Sequence, residues 1–321
     1  MELVSIIIPT FKGYSNLSRA IESCLDQSYK DIEIIIVDDN IKKISQIDYL
    51  KTKKVVEKYI NITKGMSIRY IVHDDNKGGS AARNTGIKNA NGKYICFLDD
   101  DDFYLKDRVK KSVMYLQNNL GDSGVICQVL STLDNSRRLN KLTSLTDSYN
   151  LNEKLLLNTM YIGTGSNLFF RKESVDSIGY FDETFVRFQD IEYMIKFSEK
   201  LTVGMIDEYL IVKSTNETNN LPNFFILQKS WEVLKINSEE TLNQIKKNGN
   251  FDLFIKSQSE IFIYPLALLP WNEIIKNYTF YKVSIIKLFV IKLKLYLSKY
   301  KIYKKVKWLY KSKLNIKIDL K

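Results

Sequence analysis

Short apolar runs and amphipathic segments alternate along the first hundred residues. Val4–Pro9 and Ile32–Val37 are largely apolar runs of strand length, and Asn16–Gln27 between them has apolar residues at helical spacing. Two further strands are predicted at Ile68–His73 and Tyr94–Leu98. Apolar strands joined by helices are typical of a parallel sheet that is covered on both faces. The pattern therefore predicts an α/β fold with a Rossmann-like, mostly parallel sheet flanked by helices.

The periodicity is less regular beyond Leu105. A polar stretch without a clear period covers residues 131–150, and helical segments rich in Phe, Leu, Ile and Lys follow residue 220. The remaining predicted elements are helices at Ser45–Tyr59, Ala81–Ala90, Lys106–Asn118 and Glu173–Ile178, a helix after Gln189, and strands at Ser123–Leu130, Tyr161–Phe170 and Thr202–Val212.

These patterns divide the chain into two predicted domains. Residues 1–215 form the α/β domain, with halves at 1–105 and 106–215, and residues 216–321 form a helical C-terminal extension with a basic amphipathic tail. A length of 321 residues with 45% hydrophobic composition can bury one large core with a sizeable appendage.

Four consecutive carboxylates, Asp99–Asp102, directly follow the predicted strand Tyr94–Leu98. Like charges at the end of a buried strand raise one another's pKa values unless a cation or water compensates them. Carboxylate oxygens suit Mg²⁺ or Mn²⁺. An acidic turn without a bound ion is the alternative interpretation of this run.

Other polar residues also follow predicted strands. Thr10 ends the first strand, and Asp38 and Asp39 follow the second. Ligands of open α/β sheets bind beyond the carboxyl ends of the strands. We therefore expect these residues to lie near Asp99–Asp102, although Asp38 and Asp39 are also ordinary turn residues.

Four motifs in succession give the chain a family resemblance. VSIIIPTF, IEIIIVDDN, DDNKGGSAARNTGIKNANGKYICFLDDDD and GYFDETFVRFQD occur in this order within about the first 210 residues. In their order and spacing they resemble glycosyltransferase family 2, which implies a GT-A fold and transfer of a sugar from a nucleotide-diphosphate sugar.

The resemblance implies a role for each matching position. Asp99 and Asp101 correspond to the two aspartates of the DxD motif, which implies a Mn²⁺ or Mg²⁺ ion at Asp101 and Asp99. Asp102 extends the motif without an assigned role. The residues implied for nucleotide-sugar binding are Pro9, Thr10, Phe11, Asp38, Asp39, Arg83, Asn84, Asp99 and Asp100.

Asp190 matches the aspartate of the family's Glu-Asp pair, which implies a catalytic base and inversion at the transferred sugar. Gln189 stands where the family has glutamate, so one negative charge is missing beside this base. The alternative interpretation of Asp190 is an acidic residue in the first turn of a helix, where it favours the helix dipole.

Most of the net charge of +11 belongs to the C-terminal segment. Residues 274–321 contain 14 lysines and one aspartate, whereas the first 273 residues carry 34 basic and 36 acidic side chains. A catalytic domain that binds nucleic acid is therefore not expected. The basic tail fits either peripheral contact with an anionic membrane or packing on the protein with a solvated lysine edge.

Other features bear on the setting of the protein. Three widely spaced cysteines support neither a disulfide framework nor a zinc site. We expect no signal peptide and no spanning helix, and we expect a cytoplasmic protein, peripheral at the inner face of the membrane if the tail binds lipid.

The resemblance to glycosyltransferase family 2 implies an enzyme that adds one sugar, with a UDP-sugar as the expected donor, to a glycan or lipid-linked acceptor in cell-surface polysaccharide synthesis. The chain lacks the Gln-x-x-Arg-Trp segment of processive family members, so single addition is expected. Two alternatives are a non-catalytic module that binds a nucleotide sugar or glycan, and a nucleotidyltransferase on a similar sheet.

Overall fold

The computed structural model describes residues 2–40, 46–62, 67–132, 139–143, 145, 147–214, 223–277, 284 and 286–292. The described residues of 1–220 and 226–247 form one compact unit, and those of 221–225 and 248–321 form another. The predicted domain boundary after residue 215 stays a prediction.

The first unit contains a central sheet. Its strands are β1 (Val4–Thr10), β2 (Ile32–Asp38), β3 (Ser67–Val72), β4 (Tyr94–Phe97), β5 (Phe103–Tyr104), β6 (Gly124–Thr132), β7 (Leu139–Lys141), β8 (Phe169–Arg171) and β9 (Val203–Lys213). The spatial order is β3-β2-β1-β4-β8-β6-β9-β5, with β7 beside β6. Strands β3, β2, β1 and β4 are parallel, as are β6 and β9.

Helices of the first unit flank this sheet, and the predicted α/β architecture is confirmed. These helices are α1 (Tyr14–Leu25), α2 (Gln46–Ile62), α3 (Gly79–Lys88), α4 (Arg108–Asn118), α5 (Leu151–Leu156), α6 (Lys172–Ile178), α7 (Gln189–Ser198), α8 (Phe224–Asn237, from Ile226 onward) and α9 (Glu239–Lys247). The second unit contains α10 (Phe251–Ala267) and α11 (Trp271–Asn277). A further helical segment covers residues 286–292. None of the helices in the described part of the chain combines the length and apolarity that a bilayer crossing requires.

The register of the parallel strands places polar residues at one edge of the sheet. Thr10 at the end of β1 pairs with Asp38 at the end of β2. Ile7 of β1 pairs with Phe97, the last residue of β4, so Asp99 and the residues after it lie at the same carboxyl edge. Both faces of β1 and β2 are buried, which explains their apolar sequences.

The predicted strand Tyr161–Phe170 is wrong over most of its length. Only its last two residues belong to β8, and Gly165–Asn167 forms a 3₁₀ turn. The Thr164 side chain accepts a hydrogen bond from the Ser166 backbone N–H, and Gly163 has φ of +92°. Local side-chain hydrogen bonds and a left-handed glycine therefore replace the strand pairing that the apolar residues predict.

The short strand β5 was not predicted, and it shapes the acidic run. Phe103 pairs with Val212 of β9 in antiparallel register. Asp99–Asp102 consequently forms a tight connection between two strands, closed by a 3.0 Å hydrogen bond from the Asp102 N–H to the Asp99 carbonyl. The same pairing brings Lys213 and the end of β9 beside this connection.

Candidate active site

A pocket of about 340 Å³ opens at the carboxyl edge of the sheet. It brings together residues that are far apart in sequence, and it includes most of the predicted donor-binding positions. Its lining residues are Pro9, Thr10, Phe11, Asp39, Gly79, Ala82, Arg83, Asp99, Asp100, Asp101 and Gln189.

Two predicted donor-binding residues do not line this pocket. Asp38 is fully buried, and its Oδ1 accepts hydrogen bonds from the backbone and side-chain nitrogens of Asn40 at 2.9 and 2.7 Å. Asn84 exchanges two 2.9 Å hydrogen bonds with the backbone of Phe181 and thereby joins α3 to the segment before α7. Both residues support the pocket walls, and their contact with a nucleotide stays a prediction.

Asp39 holds the loop that leads into α3. Its Oδ1 accepts from the Lys77 N–H at 2.8 Å, and its Oδ2 accepts from the Gly78 N–H at 2.7 Å. The His73 ring joins Asp39 to Thr85, with 2.8 Å from Nδ1 to Asp39 Oδ1 and 2.8 Å from Nε2 to Thr85 Oγ1. The sole histidine of the chain therefore positions a carboxylate of the pocket.

Arg83 links the acidic run to α7. Its Nη2 donates a 2.6 Å hydrogen bond to Asp99, and its Nη1 donates a 2.8 Å hydrogen bond to Oε1 of Gln189. Two glycines leave room for the guanidinium, because an added Cβ would lie 3.2 Å from Nη1 at Gly79 and 3.2 Å from Nη2 at Gly165. The ion pair with Asp99 therefore fixes the Arg83 guanidinium in the wall of the pocket.

Asp100 lies against the end of β1. Its Oδ2 accepts a 2.5 Å hydrogen bond from Thr10 Oγ1. Burial is the largest effect on its pKa, the charge of Asp99 adds to it, and together they raise the pKa to about 6 against the opposing Thr10 hydrogen bond. An added Cβ at Gly13 would lie 1.7 Å from Asp100 Oδ2, so only glycine fits at that position without moving the carboxylate.

The carboxylate of Asp101 faces the pocket and is partly buried. Burial, followed by the charges of Asp99 and Asp100, raises its pKa to about 6. Within the described chain its carboxylate receives no hydrogen bond from another residue, whereas Asp99 Oδ1 is bound by Arg83 and Asp99 Oδ2 by Thr164. Asp101 is therefore the carboxylate of the run that is most available to a cation.

The described residues contain no group of three or more His, Cys, Asp or Glu side chains arranged to hold a metal by themselves. Mg²⁺-type sites commonly use one or two carboxylates and complete the coordination with substrate phosphates and water. One available hard oxygen ligand in an acidic pocket fits that mode of binding, so the residues present fit a divalent cation that arrives with a diphosphate.

Asp102, to which the sequence assigned no role, is a buried structural connector. Its Oδ2 accepts 2.7 Å hydrogen bonds from Thr164 and Ser166, and its Oδ1 accepts a 3.1 Å hydrogen bond from the Ser214 N–H. Burial and the charge of Asp99 raise its pKa to about 7. It fastens the 3₁₀ turn and the end of β9 to the acidic run.

Asp190 lies in the first turn of α7, next to the pocket residue Gln189. Its Oδ1 accepts a 3.0 Å hydrogen bond from the Ile191 N–H. Burial is the main cause that raises the pKa of Asp190, while Arg83 opposes the shift and Asp99 adds to it. A carboxylate with a raised pKa is a stronger proton acceptor once ionised.

Lys213 is a charged residue of this region that lies outside the sequence motifs. Its Nζ donates hydrogen bonds to the Gly163 carbonyl at 2.8 Å and to the Tyr161 hydroxyl at 3.2 Å. Burial lowers its pKa, but Tyr161, Asp102 and Asp190 offset this effect, and the net shift is upward. No local sequence pattern indicates that a lysine at the end of a strand belongs to a site. The position of Lys213 beside the acidic run depends on the pairing of β5 with β9, which the sequence does not predict.

Several glycosyltransferases are similar to this chain in sequence. A glycosyltransferase of Rickettsia prowazekii is 30% identical over 287 residues, which cover 84% of this chain and 85% of that protein. The amylovoran biosynthesis glycosyltransferase of Erwinia amylovora is 29% identical over 199 residues, 60% of this chain and 62% of that protein. A UDP-Glc:alpha-D-GlcNAc-diphosphoundecaprenol beta-1,3-glucosyltransferase of Escherichia coli is 36% identical over 117 residues, 36% of this chain and 42% of that protein.

Some relatives are much longer than the matched region. This chain spans about a third of the length of the glycosyltransferases of Rickettsia conorii and Rickettsia felis, each of which is 32% identical over 216 residues, 66% of this chain.

Solved structures share the fold at low sequence identity. Staphylococcus aureus TarS in complex with UDP-GlcNAc superposes with a TM-score of 0.57 at 17% identity, covering 92% of each chain. The Pyrobaculum calidifontis mannosyltransferase PcManGT, in complex with GDP-Man and Mn²⁺, has a TM-score of 0.54 at 14% identity, covering 97% of this chain and 88% of that one.

The family profile gives the clearest match. The profile of glycosyl transferase family 2 matches residues 5–179, more than half of the chain. Together with the sheet order and the related structures, this match confirms the predicted GT-A fold. The chain therefore belongs to glycosyl transferase family 2.

Proposed function

We propose that this protein is an inverting, divalent-metal-dependent glycosyltransferase. It moves one sugar from a nucleotide-diphosphate sugar to a hydroxyl group of a glycan or lipid-linked acceptor. The pocket at the carboxyl edge of the sheet supports this proposal most directly, because it combines the available carboxylate of Asp101 with the guanidinium of Arg83. Asp190, which does not itself line the pocket, follows the lining residue Gln189 in the first turn of α7.

The donor's nucleotide would lie on the β1 and β2 side of the pocket. Phe11, which is 46% exposed, offers an aromatic surface for the base. Asp39 lines the same side and is fixed by His73 and by the loop at Gly78. A UDP-sugar is the proposed donor; the TarS structure contains UDP-GlcNAc, and the E. coli relative is named for UDP-Glc.

The divalent cation, Mn²⁺ or Mg²⁺, would be held by Asp101, with Asp99 beside it. When bound, it supplies positive charge that stabilises the leaving diphosphate without a proton transfer. Arg83 is positioned to orient Asp99 rather than to leave the wall of the pocket, because both of its terminal nitrogens are already bonded. The mannosyltransferase PcManGT was solved with Mn²⁺.

Asp190 would accept the proton of the acceptor hydroxyl. The hydroxyl oxygen forms a bond to the anomeric carbon while the bond from that carbon to the diphosphate oxygen breaks, and the proton passes to the Asp190 carboxylate. A single displacement of this kind inverts the anomeric configuration. Gln189 keeps α7 attached to Arg83 and thereby sets the position of this base relative to the donor.

The proposed setting is the synthesis of cell-surface polysaccharide, such as a capsule, from a lipid-linked acceptor. The E. amylovora relative is named for amylovoran biosynthesis, and the E. coli relative is named for alpha-D-GlcNAc-diphosphoundecaprenol. A cytoplasmic location, with peripheral contact between the basic tail and an anionic membrane, fits such an acceptor. The predicted tail helix lies mostly outside the described residues.

A panel of nucleotide sugars tests the proposal. The full chain is incubated with UDP-glucose, UDP-GlcNAc or GDP-mannose in Mn²⁺, Mg²⁺ or EDTA, and the released nucleoside diphosphate is measured. We expect one donor to be cleaved in a metal-dependent manner, with water in place of the acceptor hydroxyl, and the newly released sugar to have the inverted configuration by NMR before it mutarotates. Nucleotide-sugar binding without cleavage would instead support a binding module, and consumption of a sugar phosphate with a nucleoside triphosphate would support a nucleotidyltransferase.

A further inference from the structure

Among its described residues, the second unit exposes a group of large apolar side chains between residues 268 and 290. We call Leu268, Trp271, Ile286, Phe289 and Val290 the Trp271–Phe289 patch. Their exposed fractions are 38%, 42%, 74%, 55% and 43%. Single exposed apolar residues are common, but a cluster that includes tryptophan and phenylalanine marks an interaction surface.

A ring contact and the spacing along one helical segment connect Trp271 with Ile286, Phe289 and Val290. The rings of Trp271 and Phe289 have centroids 6.2 Å apart with a 30° angle between their planes. In the helical segment 286–292, Ile286, Phe289 and Val290 share one face, because they are spaced three and four residues apart. Leu288 on the other side of this segment is completely buried.

A lysine lies at the edge of the patch. The Nζ of Lys292 is 5.5 Å from the centroid of the Trp271 ring, and it also donates hydrogen bonds to the carbonyls of Ala267 and Leu269. The patch therefore combines an exposed tryptophan, an aliphatic face and a fixed ammonium group, which is the chemistry of a membrane–water interface.

The charge of the surrounding sequence identifies the partner. Residues 274–321 contain 14 lysines and a single aspartate, so this end of the chain is complementary to a surface that is both anionic and extended. A bilayer with anionic lipids offers such a surface together with an apolar layer deep enough for Ile286 and Phe289.

We propose that the Trp271–Phe289 patch inserts into the interface of an anionic bilayer, with the neighbouring lysines on the lipid headgroups. The biological purpose of this contact rests on the proposed function, since a lipid-linked acceptor would lie in the same bilayer. The contact itself requires no nucleotide sugar, so the two can be tested separately.

Vesicle flotation of the full chain tests this inference. The matched variants are Ile286→Ser in the patch and Ile47→Ser in α2, because both isoleucines are helical and are 74% and 68% exposed. With phosphatidylcholine vesicles containing 30 mol% phosphatidylglycerol, we expect Ile286→Ser to lower the partition coefficient by about tenfold. Phe289→Ser should lower it by at least as much, and Ile47→Ser should behave as the wild type.

Two results would overturn the inference. One is that Ile286→Ser and Phe289→Ser bind the vesicles as tightly as Ile47→Ser. The other is that the patch variants convert a dimer into a monomer, as measured by light scattering, with unchanged vesicle binding, which would assign the patch to a second copy of the chain. Metal-dependent cleavage of donor in vesicle-free buffer is measured in parallel, so a failure of the proposed function is seen independently of the lipid result.

Discussion

Arg83 donates a 2.8 Å hydrogen bond to the side-chain oxygen of Gln189, so the wall that carries the acidic run is tied directly to the first turn of α7. The side-chain nitrogen of Gln189 donates to the Phe185 carbonyl at 2.9 Å, which fixes the orientation of the amide. Gln189 therefore supplies the acceptor that a glutamate would supply at this position, but without the negative charge.

Restoring that charge should change the pH dependence of the enzyme. In Gln189→Glu, Arg83 keeps its acceptor, the hydrogen bond to the Phe185 carbonyl is lost, and a new carboxylate adjoins Asp190. The added negative charge disfavours ionisation of Asp190, so its pKa rises and the acid limb of the kcat/KM profile moves to higher pH. The control is Gln244→Glu on the exposed surface of α9. If the acid limbs of the kcat/KM profiles of Gln189→Glu and Gln244→Glu coincide, this role of Gln189 is contradicted.

Gly13 should be required for donor binding because a side chain at this position would displace the Asp100 carboxylate. An alanine Cβ would lie 1.7 Å from Asp100 Oδ2, which forces the carboxylate away from Thr10. We expect Gly13→Ala to weaken binding of Mn²⁺–UDP by about tenfold in calorimetry, the scale of one lost charged hydrogen bond. Gly121→Ala is the control, since an added Cβ there has no neighbour within 4 Å. Equal affinity in the two variants would refute the requirement.

Asp101 should make the metal-free protein less stable as the pH rises. Its pKa is raised from an ordinary 3.8 to about 6 in the folded state, so the folded state holds the proton more tightly than the unfolded chain. The resulting stabilisation is complete below pH 3.8 and is lost as the pH rises through 6. Compared with Asp101→Asn, the wild type should therefore lose about 1–2 kcal/mol of unfolding free energy between pH 4 and pH 7.

A bound divalent cation should reverse the difference in unfolding free energy between the wild type and Asp101→Asn. With saturating Mn²⁺ and UDP at pH 7, urea unfolding should show the wild type to be more stable than Asp101→Asn, because only the wild type supplies the ligand. Asp75→Asn, in an exposed loop, controls for the general effect of removing a carboxylate. If Mn²⁺ and UDP stabilise Asp101→Asn as much as the wild type, Asp101 is not the metal ligand.

Lys213 should lower the pKa of Asp190, the proposed catalytic base. Lys213→Met removes a positive charge near Asp102 and Asp190 and leaves Arg83 as the other cation that acts on Asp190, so the pKa of Asp190 should rise and the acid limb of kcat/KM should shift upward. Lys213→Arg should restore the wild-type limb, which a role in packing alone would not require. Lys141→Met on the exposed strand β7 serves as the control. Identical profiles for Lys213→Met and the wild type would exclude this role.

Local sequence was sufficient to predict the parallel half of the fold and part of the site. The strands β1 and β2 are buried on both faces, so their apolar sequences report their position directly. Because parallel strands end at one edge, Thr10, Asp39 and Asp101 could be placed together before any distance was known.

The remaining features depend on contacts between distant residues. Asp102 is held by Thr164 and Ser214, which lie 62 and 112 positions away, and the strand β5 exists through its pairing with β9. The Tyr161–Phe170 segment has the composition of a strand, but the Asn167 side chain donates to the Ile162 carbonyl and exchanges hydrogen bonds with the Cys127 backbone. No local period reports such pairings.

The proposed function requires Asp190 to act as the base in transfer of a sugar from a nucleotide donor. This role is tested by comparing Asp190→Asn with the wild type, with transfer at saturating donor and the Kd of Mn²⁺–UDP measured on the same samples. We predict that transfer falls by about a thousandfold while the Kd stays within about twofold, because the amide keeps the volume of the carboxylate but cannot accept the proton. Transfer by Asp190→Asn at the wild-type rate would contradict the account.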